Sequence, residues 1–287
     1  MKSNKDAILA NKTAESLAHR GTNHFWQRVK QVKTGKTSLP SCIDDIYGHG
    51  NIRNLFLEKY KNLYNSVSYN INEMELFKSN VELEINKTCQ QGNCYSNHSV
   101  TVNEIVSAIK QLKYGKSDGR LGHCTDHLIF SCHLLSVYLS LLFTLMLKYS
   151  FVPGVMLIST LIPIPKSKKK SINSSENYRA IALSSILGKV LDLIIMKQNC
   201  DVFKTTDYQY GFKPKHSTTM CTFAAMEITQ YYFNNSSDAY VLFLDASKAF
   251  DRVEYVKLFT ILKNRGLCPL VIKLLLQMYT NQKLCVK

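Results

Sequence analysis

From Thr101 onward the apolar residues fall into regular periods. Val102, Ile105, Val106, Ile109 and Leu112 recur at helical spacing and predict a helix with one buried stripe. Thr101 and Glu104 precede it as a capping box, the hydroxyl serving one free amide and the carboxylate another. Gly115 closes the stripe, and Lys110, Lys113 and Lys116 put cations near its negative end. An apolar helix is expected near 126–149, broken by Pro153 and Gly154. Residues 155–164 (VMLISTLIPI) read as a strand with its prolines at the far end. A short strand over 178–183, a helix over 185–199, a Gly-Phe turn at 211–212 and a helix over 218–233 follow. Residues 239–245 (AYVLFLD) are apolar at every position before the Asp, the pattern of a strand buried on both faces. Two helices, near 254–265 and 269–281, are separated by Gly266 and Pro269.

Before residue 100 the chain is more polar. Phe25, Trp26, Val29 and Val32 predict one helix, and Leu55, Phe56, Tyr60, Leu63 and Tyr64 another. The stretch 38–51, with Pro40, Gly48 and Gly50, reads as a loop, as does 86–99. The most apolar run, 134–147, has 14 residues, short of the roughly 20 that a bilayer requires, so a buried core helix is expected and no membrane partner.

Composition narrows the function classes. Apolar residues make up 45% of the 287, enough for a sizeable core. A formal charge of +15 favours a polyanionic partner, nucleic acid first and an anionic membrane surface second. Nine scattered cysteines read as reduced thiols, and the start lacks a secretory pattern, so an intracellular place, nucleus or cytoplasm, is expected.

The densest chemistry lies in VLFLDASKAFD, residues 241–251. An Asp at the end of a buried strand is costly unless a cation meets it. Mg²⁺, a hard ion, prefers carboxylate oxygen, and strand-end carboxylates can hold two such ions for phosphoryl chemistry. The plain alternative is an Asp capping a turn into the next helix. Asp251 and Arg252 are expected to cap and pair at the start of that helix.

The string resembles motif A of right-hand polymerases in the form found in non-LTR (LINE-like) reverse transcriptases. Four further blocks match in the family's order: LKYGKSDG (112–119), LIPIPK (161–166), NYRAIAL (177–183) and QYGFKPKHST (209–218). FWQRVK at 25–30 resembles the preceding linker. Ala180 stands where the family has Pro, and Lys213 where it has Arg, which keeps the charge but loses the bidentate fork.

The resemblance implies an α/β (α+β) right-hand polymerase fragment: a helical extension over 1–99, fingers over 100–238 and the start of the palm over 239–287. It implies Asp245 as the catalytic carboxylate, with Asp245 and Ala246 at the metal and Mg²⁺ as cofactor. Lys166 and Arg179 would meet the triphosphate of a dNTP, and Phe250 would exclude a ribose 2′-hydroxyl. Lys168, Lys169, Lys170, Gly211, Phe212, Lys213 and Lys215 would lie along nucleic acid, an RNA template with a DNA primer. The family's Asp-Asp hairpin is not in the sequence, so a truncated and inactive polymerase is expected, with a catalytically dead nucleic-acid-binding relic as the alternative. Two clusters, Cys89/Cys94/His98 and His123/Cys124/His127/Cys132/His133, have loosely metal-like spacing and are expected to be ordinary satisfied residues.

Overall fold

The computed structural model describes residues 40–65, 67, 70–88, 98–119, 122–167 and 171–287. The helix expected around Trp26, the pair Cys89 and Cys94, and Lys168, Lys169 and Lys170 lie outside the described residues.

A hairpin of two-residue strands opens the described chain, β1 (Cys42–Ile43) and β2 (Ile46–Tyr47). Asp44 and Asp45 take positive φ at its turn, 49° and 60°. Helix α1 (His49–Tyr64) follows at once, three residues earlier than the loop expected over 38–51 allowed. Helix α2 (Ile71–Thr88) was not expected, although Met74, Phe77, Val81 and Ile85 form its buried stripe. The capping box holds at α3 (Val102–Ile109): the Thr101 hydroxyl accepts from the Glu104 amide at 3.2 Å and the Glu104 carboxylate from the Thr101 amide at 2.8 Å. This helix stops at Ile109, short of Leu112.

The single helix expected over 126–149 is two, α4 (Thr125–Ile129) and α5 (His133–Tyr149). Between them the Ser131 hydroxyl donates to the Leu128 carbonyl at 2.7 Å, and Cys132 is extended. A side chain that bonds its own backbone in this way competes with the helical ladder. No described helix is long and apolar enough to cross a membrane.

The main sheet has three strands in the order β4–β3–β5. Strands β3 (Ile158–Pro165) and β4 (Tyr178–Leu183) pair antiparallel, with Ile164 opposite Arg179. Strand β5 (Lys283–Val286) adds parallel to β3, Ile158 opposite Lys283. Helices α6 (Ile186–Gln198), α7 (Thr218–Asn234), α8 (Tyr255–Asn264) and α9 (Pro269–Thr280) complete the order. The observed fold is mixed α/β, as expected.

One apolar core joins α2, α3, α5, α6, α8 and α9; Phe143, Phe259, Ile272 and Leu274 at its centre are wholly buried. Lys263 and Lys273 on α8 and α9 pair with Glu84 and Glu82 of α2 across its edge. A smaller core sets Phe56 and Tyr60 of α1 against Leu161 and Tyr178 of the sheet. Packing thus runs across residues 99/100 and 238/239, where the sequence suggested boundaries.

The strand expected over 239–245 is not there. Those residues take no regular secondary structure and pair with no strand, with Tyr240 93%, Leu242 81% and Leu244 88% exposed. A strand apolar on both faces needs neighbours along its edges and layers over its faces, and no described residue supplies either. Helix α7 forms as expected, yet buries none of its residues.

Candidate active site

The β3–β4 hairpin presents two of the expected cations. Lys166 follows the last residue of β3 and Arg179 is the second of β4, so both stand at one end of the hairpin. The Lys166 amide donates to the Asn177 carbonyl at 2.7 Å and its ammonium to the Glu176 carbonyl at 2.8 Å. Both side chains are exposed.

The connection below this end is anchored from α1. The Lys59 ammonium bonds Glu176 at 2.6 Å and the Ser175 hydroxyl at 2.9 Å. Asp44, at the tip of the first hairpin, accepts from the Ser175 amide at 3.0 Å while its own amide donates to Asn173. The Ser175 hydrogen bonds hold the Asp44 carboxyl below its ordinary range. Glu176 is held low mainly by Lys59, with smaller contributions from Lys248 and Lys166. Lys248, in the turn after Asp245, therefore acts on the same carboxylate as Lys166. Sequence reasoning passed over Lys59, Glu176 and Lys248; the signal was a lysine inside ASKAF, three residues after the Asp.

Two blocks far apart in sequence meet at an aromatic pair. Phe212 and Phe250 stand edge to face, ring centres 5.5 Å apart at 82°. Such pairs add about 0.5–1.5 kcal/mol when desolvated; these rings are 90% and 76% exposed, so the contact sets position more than stability. Phe212 and Lys215 take positive φ, 58° and 62°, turning the Gly211–Phe212 segment and the one after it. Lys213 reaches the Thr206 carbonyl at 3.4 Å and Asp207 at 3.5 Å. Beyond Phe250, a small cavity of ≈ 120 Å³ lies between this segment and the α1–α2 junction, lined by Tyr64, Glu73, Phe250, Asp251 and Tyr255.

Asp251 and Arg252 do not cap α8. They lie in a 3₁₀ turn, Ala249–Arg252, and Glu254 occupies the N-cap without a side-chain bond. The 3₁₀ turn lies between the irregular run and the helix, so the cap falls further along the chain.

Asp245 and Ala246 sit in the exposed run, with no described side chain or backbone group bonded to the carboxylate. No three His, Cys, Asp or Glu side chains gather to hold an ion among the described residues. One exposed carboxylate does not meet the octahedral oxygen demand of Mg²⁺; the described residues therefore do not make a metal centre. In the His/Cys cluster, His123 lies 3.4 Å from Asp118 and His127 accepts from the Cys124 amide at 3.2 Å. His98 meets Cys268 at 3.0 Å.

Residues 164–287 match the family model described as reverse transcriptase (RNA-dependent DNA polymerase). The chain is similar to a protein of Drosophila melanogaster described as "Probable RNA-directed DNA polymerase from transposon BS", 30% identical over 158 residues. That alignment covers 54% of this chain and 17% of the relative, so the chain spans about a sixth of the relative's length. Lys166, Arg179, Phe212, Asp245 and Phe250 all fall in the stretch that matches the reverse transcriptase model.

Proposed function

We propose that this chain is the finger portion and first palm segment of an RNA-directed DNA polymerase of a non-LTR retroelement. Lys166 and Arg179 meet the triphosphate of a deoxynucleotide, Phe250 stands against its sugar, and Gly211, Phe212, Lys213 and Lys215 lie along the template. In a complete polymerase Asp245 would supply one of the carboxylates that hold Mg²⁺, and the ion would supply charge stabilisation for nucleotidyl transfer. The observation that carries this reading is the hairpin: it places a lysine and an arginine at one end of two paired strands. A triphosphate requires fixed cations of this kind, and arginine offers two parallel donors. The Phe212–Phe250 contact supports it by bringing the template block to the sugar gate.

A second reading, binding of nucleic acid without catalysis, is favoured by one observation: Asp245 is exposed and stands alone. Two measurements on the purified chain separate the readings. A labelled dNTP with Mg²⁺ should bind the chain and lose affinity about tenfold or more in the Arg179→Gln variant, as expected for a lost bidentate, charge-assisted contact. Binding of RNA with no dNTP affinity leaves the second reading. Primer extension by the chain alone is not expected, and its appearance would refute the incompleteness of the metal centre.

A further inference from the structure

We infer that the junction of β4 and α6 forms a phosphate-binding pocket distinct from the hairpin end that carries Lys166 and Arg179. A cavity of ≈ 320 Å³ opens there, with Lys113, Lys116 and Lys189 on its walls and Ser184 and Ser185 at its base. The lysines come from two places, the turn after α3 and the first turn of α6. No carboxylate lies within 4 Å of their ammonium groups among the described residues. The field of Lys189 reaches Asp192, one turn further along.

Ser185 is the N-cap of α6, a helix of 13 residues with no acidic residue in its first turn. The residue is 94% buried, its hydroxyl makes no capping bond, and no other described group bonds it. The first amides of a helix lack partners on the ladder and carry its positive end. An unbonded serine hydroxyl, free amides and three cations lining one cavity suit an anion with several oxygens and more than one charge. Phosphate has that chemistry, and helix N-termini commonly receive it. The turn that carries Lys116 is fixed independently: the Thr125 hydroxyl accepts from the Lys116 amide at 3.1 Å and donates to the Lys113 carbonyl at 2.8 Å.

The phosphate has two possible sources, the backbone of a nucleic-acid strand or free inorganic phosphate. The first rests on the function proposed above; the pocket itself does not. The test uses the purified chain, the double variant Lys116→Gln/Lys189→Gln, and Ser185→Ala. All three should fold, since the lysines are exposed and the serine hydroxyl is unbonded. Affinity for a short labelled single-stranded RNA is measured between roughly 50 and 200 mM KCl. If the source is a strand, the double variant's slope of log affinity against log salt falls by about 0.7, so it loses about threefold less affinity over that range. If the source is free, inorganic phosphate raises the Tm of the wild type above a chloride control of equal ionic strength, and fails to do so in the double variant and in Ser185→Ala. Either result supports the pocket and names its ligand. Slopes and phosphate responses identical in wild type and variants overturn it, even where RNA binds. A wild type that binds no RNA refutes the nucleic-acid reading and leaves the phosphate response to decide the pocket.

Discussion

Replacing Gly119 with Ala tests whether the block 112–119 is clamped to the sheet. Gly119 has φ +75°, and a Cβ placed on it would lie 3.0 Å from Leu183 Cδ1, 3.4 Å from Leu183 Cβ and 3.5 Å from Thr160 Cβ. Two costs follow. The left-handed conformation costs a residue with a Cβ about 1 kcal/mol or slightly more. The close approach adds about 1 kcal/mol, at the low end for overpacking because the Leu183 tip can turn while its Cβ and the strand cannot. The sum is about 2–3 kcal/mol, or roughly 5–10 °C in Tm for a chain of this size. Gly115 supplies the control, having φ +66° in the same loop with nothing within 4 Å of its added Cβ. Gly115→Ala should cost about 1 kcal/mol. The assay is urea unfolding of both variants beside the wild type, comparing midpoints at equal slope. Equal losses at the two positions would refute the close approach of this loop to Leu183 and Thr160.

Leu242→Ser should leave stability within about 0.5 kcal/mol of wild type, because the side chain is 81% exposed. A loss of about 2 kcal/mol or more in chemical denaturation would instead place Leu242 in a packed sheet. Thr101→Ala removes one half of the capping box and should cost about 1 kcal/mol; no change in thermal unfolding would mean that α3 ends elsewhere. The protein mass crowded around Asp192 pushes its pKa from 3.8 to about 6 although the residue reaches the surface, with Lys189 opposing. A carboxyl whose folded pKa is raised favours the folded state below its unfolded value, and that advantage is lost as pH rises from about 4 through 6. Asp192→Asn should therefore stabilise at pH 7 and converge with wild type near pH 4. The carboxylate is solvent-accessible, which screens the gain to about 1 kcal/mol or less. A gain that persists at the same size near pH 4 would refute the cause.

Legibility followed how local each signal was. Strand β4 was read to the residue because Asn177 and Ser184 bound an apolar run that pairs with its immediate neighbour β3. The capping box at Thr101 involves groups three residues apart and was equally plain. Helix α2 was missed although its stripe is regular, because Glu73, Glu75, Glu82 and Glu84 lower its mean hydropathy; two of the four face lysines of α8 and α9 that lie far along the chain. Strand β5 is four residues of KLCV, unreadable without β3 beside it. The run 239–245 failed in the opposite way: its composition describes an environment, burial on both faces, that the described residues do not provide. At the site, the resemblance singled out Lys166, Arg179, Phe212 and Phe250, whereas the Lys59–Glu176 anchor and the Lys189 pocket arise only from packing.

Strand β5 also imposes an order on synthesis. Ile158 and Lys283 are register partners, so the third strand leaves the ribosome 125 residues after the strand it joins. Leu284 and Val286 pack on the same small core as Phe56 and Tyr60 of α1. The β3–β4 hairpin can close early, since its strands are neighbours in sequence, but the seat for α1 is finished only by residues near 285. Contacts of such separation form late, after the entropy of a long loop has been overcome. A nascent chain halted at α7 would carry a two-stranded hairpin with an open β3 edge, an invitation to pairing with other chains that only the arrival of β5 withdraws.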